Sequence, residues 1–249
     1  MRGKTALITG GAQRVGAAIA LALAEQGVHI VIHYRHSAAE AEMLAREVRA
    51  AGVTARTLAG DLADPAVAEE LVGHALALAG TLDLLVNNAS EFPPDTLETM
   101  SLPSLEHNLA VNAWAPLALS RAFRREVGHG QIINLLDSRM DDYDPGHASY
   151  LLSKQLLAAI TRTTAVEFAP QLAVNAVAPG LILPPAGRDA AYLEALGVTV
   201  PLQHAGDPGD VAAAVVFLAQ STFITGHTVY VDGGRHLKEY PANGPHSDQ

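Results

Sequence analysis

Two side chains that could move a proton stand four residues apart in the middle of the chain. Tyr150 and Lys154 fall within a predicted helix, so their spacing places both on one helix face. A tyrosine phenol has an ordinary pKa near ~10 and exchanges protons poorly at neutral pH. A nearby ammonium group favours the phenolate and lowers that pKa. The pair could therefore donate a proton beside a carbon that receives hydride, although a helix face with no chemical role can show the same spacing.

A glycine-rich segment near the start of the sequence could bind phosphate. Residues 9–16 read TGGAQRVG, and they follow the first predicted strand and open the first predicted helix. In a dinucleotide-binding fold, such a turn presents backbone N–H groups and a helix N-terminus to a pyrophosphate. The motif alone is a weak signal, because many strand-to-helix turns need glycine for backbone reasons. Its position after the first strand strengthens the interpretation, since the chain reverses its strand order there.

The segment after the second predicted strand indicates which dinucleotide would bind. Residues 33–37 read HYRHS and contain no carboxylate. An NAD site normally has an acidic residue here that binds the ribose 2′-OH, whereas cationic and hydroxyl groups suit a 2′-phosphate. We therefore predict NADP(H), the alternative being an ordinary solvated turn. The residues given this role are Tyr34, Arg35, His36 and Ser37, with Asp61 and Leu62 beside the adenine unless Asp61 only caps a turn.

The composition excludes several classes of function. The 249 residues include 16 Lys+Arg and 26 Asp+Glu, and the net charge of −10 argues against a nucleic-acid-binding protein, which needs a basic face. There is no cysteine, and the 11 histidines are scattered, so we expect no metal site. No apolar run is long enough to span a bilayer, and no signal peptide precedes the first strand. We expect a cytoplasmic protein with no membrane partner.

Short apolar runs alternate with longer Ala- and Leu-rich runs along the chain. The short runs are apolar on both faces, which is typical of parallel strands covered by helices on both sides. Right-handed connections then predict a doubly wound, Rossmann-like α/β sheet of about seven strands. We expect one domain over residues 1–237 and a disordered polar tail over 238–249. The predicted strands are 5–9, 28–33, 54–59, 82–86, 131–136, 173–177 and 228–231, and the predicted helices are 15–26, 38–51, one opening at 65, 104–126, 147–168 and 208–219.

Six short motifs occur along the chain in an order known from one enzyme family. They are the loop at 9–16, NNAS at 87–90, Asn112, the pair Tyr150 and Lys154, NAVAPG at 175–180, and DGG at 232–234. Each motif is weak alone, but the joint order is very specific. On these motifs the chain resembles the short-chain dehydrogenase/reductases, and the resemblance covers residues 4–237.

The resemblance implies a role for individual residues. Tyr150 would be the acid/base, and Lys154 would lower its pKa and bind the nicotinamide ribose. Asn112 would hold a water in the proton relay, and residues 181–200 would form the substrate loop. The remaining cofactor-binding residues would be Gly10, Arg14, Val15, Asn88, Ala89, Pro179 and Gly180.

Two positions depart from the usual pattern of the family. Arg14 stands where the middle glycine of the loop is usual, and Asp137, thirteen residues before Tyr150, stands where a serine is usual. With the NNAS motif and the HYRHS turn at 33–37, these departures resemble the pteridine reductase branch, which includes dihydromonapterin reductases. Phe92 also matches an aromatic residue that stacks on the pterin in that branch. A frame shifted by one residue would instead make Ser138 the usual serine.

A pterin substrate suits the chemistry of these residues. It is a flat, hydrogen-bonding bicycle whose reducible bond is C=N, so Phe92 could stack on it, unless Phe92 packs on the core. Asp137 beside Tyr150 would supply a second ionisable group for protonating a ring nitrogen. Glu91 is not explained by the resemblance and could change which substrate side chain is accepted. The predicted substrate-binding residues are Arg14, Ser90, Phe92, Asp137, Tyr150 and Leu181.

Two other functions stay open at this point. A carbonyl reductase of the same family, acting on a 3-oxoacyl thioester or a small ketone with NADPH, would use the same proton donor. A non-catalytic NADP-binding regulatory protein would not need Asn112, Tyr150 and Lys154 together. The helix over 151–168 is apolar around more of its circumference than one face needs, and the resemblance implies a homotetramer built partly on it.

Overall fold

One parallel sheet runs through the part of the chain that the computed structural model describes, residues 1–140, 146–185 and 187–237. The predicted disordered tail, 238–249, lies outside these residues. The sheet has the strand order β3-β2-β1-β4-β5-β6-β7, so the order reverses between β1 and β4. The strands are β1 (Thr5–Ile8), β2 (His29–Tyr34), β3 (Ala55–Ala59), β4 (Leu84–Asn87), β5 (Gly130–Leu135), β6 (Leu172–Pro179) and β7 (Thr228–Val231).

Helices cover both faces of this sheet. Asp64 accepts a hydrogen bond from the Ala66 N–H and Pro65 is the first residue of its helix, so the predicted start is confirmed. The helices are α1 (Arg14–Glu25), α2 (Ala38–Ala50), α3 (Pro65–Ala79), α4 (Leu102–Leu109), α5 (Ala115–Glu126), α6 (Ala148–Glu167), α7 (Ala190–Gly197) and α8 (Pro208–Gln220).

Consecutive residues of the inner strands point into two different cores. Ile8 and Ile32 pack in the core that contains α1, α2 and α8. Leu7 and Val31 pack in the core on the other face, with α3 and α5. Each of these four side chains is at most 1% exposed. Because both faces of the strands are buried, the strands read as continuous apolar runs, and the predicted doubly wound α/β sheet is confirmed.

Two elements differ from the sequence-based expectation. The predicted helix over 104–126 is divided into α4, a π-helical turn (Ala110–Trp114) and α5. The predicted substrate loop, 181–200, contains α7, whose N-terminus is capped by the side chain of Asp189. A wider π turn leaves the hydrophobic periodicity almost unchanged, and α7 is a short helix in a segment rich in Gly and Pro. The ends of the other predicted elements agree within two residues.

Candidate active site

The glycine loop connects β1 to α1 and is shaped by two close approaches. Gly10 has a φ of +57°, and a Cβ atom there would come within 2.9 Å of the Ala89 Cα. A Cβ atom on Gly16 would lie 2.5 Å from the carbonyl oxygen of Gly10. The loop, the first turn of α1 and the segment after β4 are therefore packed so tightly that both positions require glycine.

Arg14 occupies the position where the family usually has the middle glycine of this loop. Its φ of +55° lies in the left-handed region that favours glycine. Its guanidinium donates a hydrogen bond to the Pro184 carbonyl oxygen at 2.9 Å. Arg14 thus links the glycine loop to the predicted substrate loop, and its predicted contacts with phosphate and substrate stay predictions.

The buried side chain of His33 is hydrogen-bonded to the glycine loop. The Gly10 N–H donates to Nδ1 of His33 at 3.1 Å, and Nε2 of His33 lies 3.1 Å from the carbonyl oxygen of Gly60. Burial lowers the pKa of His33 to about 4, so the ring is neutral, with its proton on Nε2. Sequence reasoning did not identify His33 as a residue that positions the glycine loop. The available signal was a polar side chain near the end of a strand whose central residues are apolar.

The segment after β4 is tied to the same loop by four hydrogen bonds. The Thr9 hydroxyl accepts from the N–H groups of Asn88 and Ala89, both at 3.0 Å. The Asn88 amide donates to the carbonyl oxygens of Thr9 and Gly10, at 2.9 and 3.0 Å. The NNAS motif therefore fixes the glycine loop against β4.

A cleft of about 460 Å³ opens where these segments meet, at the carboxyl ends of β1 to β4. Its position at the reversal of strand order is where open α/β sheets bind ligands. Ser90, predicted to bind substrate, also lies in its wall. The predicted cofactor-binding residues in its wall are Gly10, Arg14, Val15, Tyr34, Arg35, His36, Ser37, Asp61, Leu62, Asn88 and Ala89.

Charged groups of opposite sign meet in the wall of this cleft. Nη1 of Arg35 forms an ion pair with Oε1 of Glu91, and Oδ1 of Asp61 lies 4.0 Å from the same nitrogen. The other oxygen of Glu91 lies 2.6 Å from Nε2 of His107. Both carboxylate oxygens of Glu91 are therefore engaged beside the residues predicted to bind the 2′-phosphate.

Tyr150 and Asp137 lie within hydrogen-bonding distance. The Tyr150 hydroxyl donates to Oδ2 of Asp137 at 2.9 Å. Asp137 follows β5, and Tyr150 lies in the first turn of α6. The hydroxyl of Ser138 is buried and has no hydrogen-bond partner within the described ranges. The geometry thus supports the frame in which Asp137, rather than Ser138, stands beside the tyrosine.

Lys154 lies one helical turn after Tyr150, on the same face. Its ammonium nitrogen is 5.6 Å from the centroid of the Tyr150 ring and donates to the carbonyl oxygen of Leu135 at 2.8 Å. Burial lowers the pKa of Lys154 to about 8, and the charge of Asp137 opposes this shift. A buried cation close to the phenol can stabilise negative charge on it.

Asn112 is fully buried in the π-helical turn and holds the main chain of Glu91. Its Oδ1 accepts from the Glu91 N–H at 2.9 Å, and its Nδ2 donates to the Glu91 carbonyl oxygen at 3.0 Å. The same nitrogen lies within hydrogen-bonding distance of Ser153 and Asn108. All these partners of the side chain are protein groups, and the predicted water-holding role of Asn112 stays a prediction.

Phe92 extends beside the tyrosine. Its ring meets the Tyr150 ring edge-on, with centroids 4.5 Å apart, and stacks on His147 at 3.7 Å. With 43% of its surface exposed, Phe92 is not itself a core residue, although its ring packs on the buried Tyr150, and its predicted contact with a substrate stays a prediction. The exposed ring beside Tyr150 is available to a flat ligand.

The loop that carries Phe92 is fastened to α6 by Asp95. The Asp95 carboxylate accepts hydrogen bonds from the N–H and hydroxyl of Ser149 and from the hydroxyl of Ser104. Burial would raise the pKa of Asp95, but these hydrogen bonds outweigh it and hold the pKa below its usual value. Sequence reasoning missed Asp95, because Ser149, which donates two of these hydrogen bonds, is 54 residues away in the chain.

Pro179 and Gly180, predicted to bind the cofactor, and Leu181, predicted to bind substrate, lie at the carboxyl-terminal edge of the sheet. Pro179 ends β6 and accepts from the Ser138 N–H at 2.9 Å. The Gly180 N–H donates to the Val231 carbonyl oxygen at 2.9 Å, and the Leu181 carbonyl oxygen accepts from the Gly206 N–H at 3.0 Å. The fold thus gathers the ends of β5, β6 and β7 beside Asp137.

Known proteins resemble this chain over nearly its whole length. A family model described as enoyl-(acyl carrier protein) reductase matches residues 10–236. An oxidoreductase of Mycobacterium tuberculosis is 40% identical over 241 residues, which are 93% of this chain and 91% of that protein. The chain belongs to the short-chain dehydrogenase/reductase family.

Two other proteins similar to this chain are named as reductases of different substrates. The 3-oxoacyl-[acyl-carrier-protein] reductase FabG of Staphylococcus epidermidis is 30% identical over 242 residues, covering 94% of this chain and 99% of that protein. The crystal structure of FolM alternative dihydrofolate reductase 1 from Brucella canis, complexed with NADP, is 34% identical with a TM-score of 0.87. It covers 94% of this chain and 95% of that one.

A second depression, of about 750 Å³, is lined by residues of α5 and α6 and shares no lining residue with the cleft described above. Leu156 in its wall is 44% exposed, and Leu152 on the same helix is 38% exposed. These apolar groups account for the excess apolar character of α6 in the sequence.

The homotetramer and the cytoplasmic location stay predictions. Among the described residues no helix is long and apolar enough to cross a membrane, and no group of three acidic or histidine side chains could hold a metal ion.

Proposed function

We propose that this protein is an NADPH-dependent reductase that transfers hydride to a C=N bond of a pterin, such as a dihydropterin or a folate-like heterocycle. The observation that carries the proposal is the 2.9 Å hydrogen bond between Tyr150 and Asp137. Reducing C=N requires a proton on nitrogen as well as hydride on carbon. Two ionisable oxygen acids in contact can deliver that proton and be reprotonated together.

The cleft fits a phosphorylated dinucleotide. The first turn of α1 has no side-chain cap from Gln13 and no acidic residue, so its N–H groups are available to an anion. Gly10 and Gly16 leave room that a side chain would fill. At the far end of the cleft, Arg35, His36 and Ser37 would hold the 2′-phosphate. When bound, NADPH supplies the hydride.

The chain's own groups would handle the proton. Tyr150 would donate its phenolic proton to the ring nitrogen as the adjacent carbon receives hydride, so C=N becomes CH–NH. Lys154, 5.6 Å from the phenol ring, would stabilise the resulting phenolate. Asp137, which contacts the same hydroxyl oxygen, would return a proton from solvent to Tyr150.

The surroundings of Tyr150 suit a planar heterocycle. Phe92 presents a half-exposed ring beside the proton donor, and the Phe92–His147 stack supports that ring from one side. Ser90, at the rim of the cofactor cleft, would meet the polar edge of the pterin. Arg14, which donates a hydrogen bond to Pro184 in the predicted substrate loop, would hold that loop over it.

The test is NADPH oxidation followed by absorbance, with dihydrobiopterin, dihydromonapterin, dihydrofolate and an acetoacetyl thioester in parallel, and NADH as the alternative cofactor. We expect turnover with pterins and a preference for NADPH. Asp137→Ser should lower kcat/KM for the pterin about 100-fold. The matched control is Ser138→Ala, at the adjacent buried hydroxyl, which should retain activity within about twofold.

A carbonyl reductase is the second candidate, favoured by the 30% identity to the FabG protein over nearly the whole chain. Turnover with the thioester alone, or gain of thioester activity in Asp137→Ser, would support it over pterin reduction. Tight NADPH binding with no turnover on any of these substrates would contradict both reductase functions.

A further inference from the structure

The guanidinium group predicted to bind the 2′-phosphate of NADPH already has an anionic partner. Arg35 forms an ion pair with Glu91 across the cleft, joining the end of β2 to the segment after β4. Asp61 is farther away, with its oxygen 4.0 Å from the same guanidinium nitrogen. A ligand phosphate that binds Arg35 must therefore displace or share the Glu91 carboxylate.

Glu91 is held in this position from both ends. Asn112, itself fully buried, makes two hydrogen bonds to the main chain of Glu91. His107 engages the second carboxylate oxygen at 2.6 Å, which leaves the first oxygen for Arg35. The Glu91 side chain is only 25% exposed. The carboxylate is thus preorganised rather than a freely rotating surface group.

We propose that Glu91 is a specificity-determining residue for the cofactor. Its carboxylate occupies the Arg35 guanidinium in the free enzyme, competes with the 2′-phosphate, and so weakens NADPH binding and narrows the preference for NADPH over NADH. This inference rests on the proposed NADPH-dependent function. NADH has no 2′-phosphate and need not displace Glu91, so its affinity is independent of this competition.

The size of the effect follows from the exposure of the pair. The Arg35 side chain is 40% exposed, and the free energy of such a partly solvated ion pair is small. Freeing the guanidinium by Glu91→Gln should therefore tighten NADPH binding about two- to fivefold. The difference between the variant and the wild type should shrink as salt is raised from about 50 to 500 mM, because both competing ion pairs are screened.

The experiment is calorimetric titration of wild type, Glu91→Gln, Arg35→Ala and the double variant. The ligands are NADPH, NADH and two adenosine fragments, adenosine 2′,5′-bisphosphate and 5′-AMP. Glu126→Gln is the matched control, because Glu126 is also 25% exposed, pairs with Arg125 and lies away from the cleft. We expect Glu91→Gln to tighten NADPH and the bisphosphate, to leave NADH and AMP unchanged, and to have no effect once Arg35 is removed.

Different results would overturn different claims. Unchanged or weaker NADPH binding by Glu91→Gln would overturn this inference. Tightening that persists in the Arg35→Ala background, or that Glu126→Gln reproduces, would also overturn it, since both indicate general charge repulsion. The proposed cofactor would fail separately, if the wild type bound NADH as tightly as NADPH and Arg35→Ala changed neither affinity.

Discussion

Gly16 lets the first turn of α1 lie against the glycine loop, and adding one methyl group there should damage both stability and cofactor binding. The Cβ of Gly16→Ala would lie 2.5 Å from the Gly10 carbonyl oxygen and 2.7 Å from the Asn88 amide nitrogen. Neither atom can move freely, because one belongs to the backbone and the other makes two hydrogen bonds to the loop.

Gly73→Ala provides the matched control within the same fold. Gly73 is also a helical glycine, in α3, but its new Cβ would meet only the flexible side-chain end of Glu126, at 2.8 Å. Both substitutions gain about 0.5–1 kcal/mol of helix propensity. At Gly16 the overlap costs about 1–3 kcal/mol, near the upper end because backbone must shift. We expect a net loss of about 2 kcal/mol for Gly16→Ala, and no loss for Gly73→Ala.

The free energy of unfolding is measured by urea denaturation, with thermal unfolding and NADPH titration in parallel. A loss of about 2 kcal/mol corresponds to a fall in Tm of roughly 4–8 °C in a chain of this size. NADPH affinity should fall in Gly16→Ala alone, because the displaced loop carries the pyrophosphate-binding N–H groups. If Gly16→Ala is as stable as Gly73→Ala and binds NADPH equally well, the reasoning from close packing is refuted.

Three further predictions concern ionisable groups of the site. The pKa of His33 is about 4 in the folded protein, against an ordinary value of 6.5. Between these values His33 is protonated only in the unfolded chain, so the free energy of unfolding falls as the pH falls from about 7 to 4. The loss of unfolding free energy should approach about 3 kcal/mol and be absent in His33→Gln. An equal loss in that variant would show that His33 is not the group that causes the pH dependence. The value of kcat/KM should fall above about pH 8 as Lys154 loses its proton, and Lys154→Arg should remove this decrease. If the decrease persists in Lys154→Arg, another group causes it. Asp95→Asn should lower kcat about tenfold without changing NADPH affinity, because the Phe92 loop loses its charged link to Ser149, and an unchanged kcat would show that the link does not position the site.

Much of the sheet was predictable from local pattern. Buried strands must be apolar on both faces, so β1, β2 and β4 stand out as apolar runs in the sequence. Asp64 and Pro65 mark the start of α3, because a cap and a first-turn proline act through neighbouring residues only. The π-helical turn at Ala110–Trp114 was not predictable in this way, since it is stabilised by contacts of Asn112 with distant segments.

The residues of the site could be listed from the sequence, but most of their relationships could not. The pairing of Tyr150 with Lys154 follows from helical periodicity, because residues four apart share a face in any α-helix. The contact of Tyr150 with Asp137 joins residues thirteen apart in the chain, and Ser138 directly follows Asp137. Which of the two meets the phenol is decided by the tertiary contacts that hold α6 near the end of β5, among them the hydrogen bond from Lys154 to the Leu135 carbonyl oxygen.

Charge pairing in the cleft depended still more on the tertiary structure. The sequence by itself determined that a cationic and hydroxyl turn, 33–37, follows β2, and that an acidic residue interrupts the segment after β4. That Arg35 meets Glu91, and that His33 is buried and neutral rather than part of the cationic surface, was decided by the fold. Short-range periodicity sets which residues share a face, whereas partner choice and burial depend on residues brought together across the sheet.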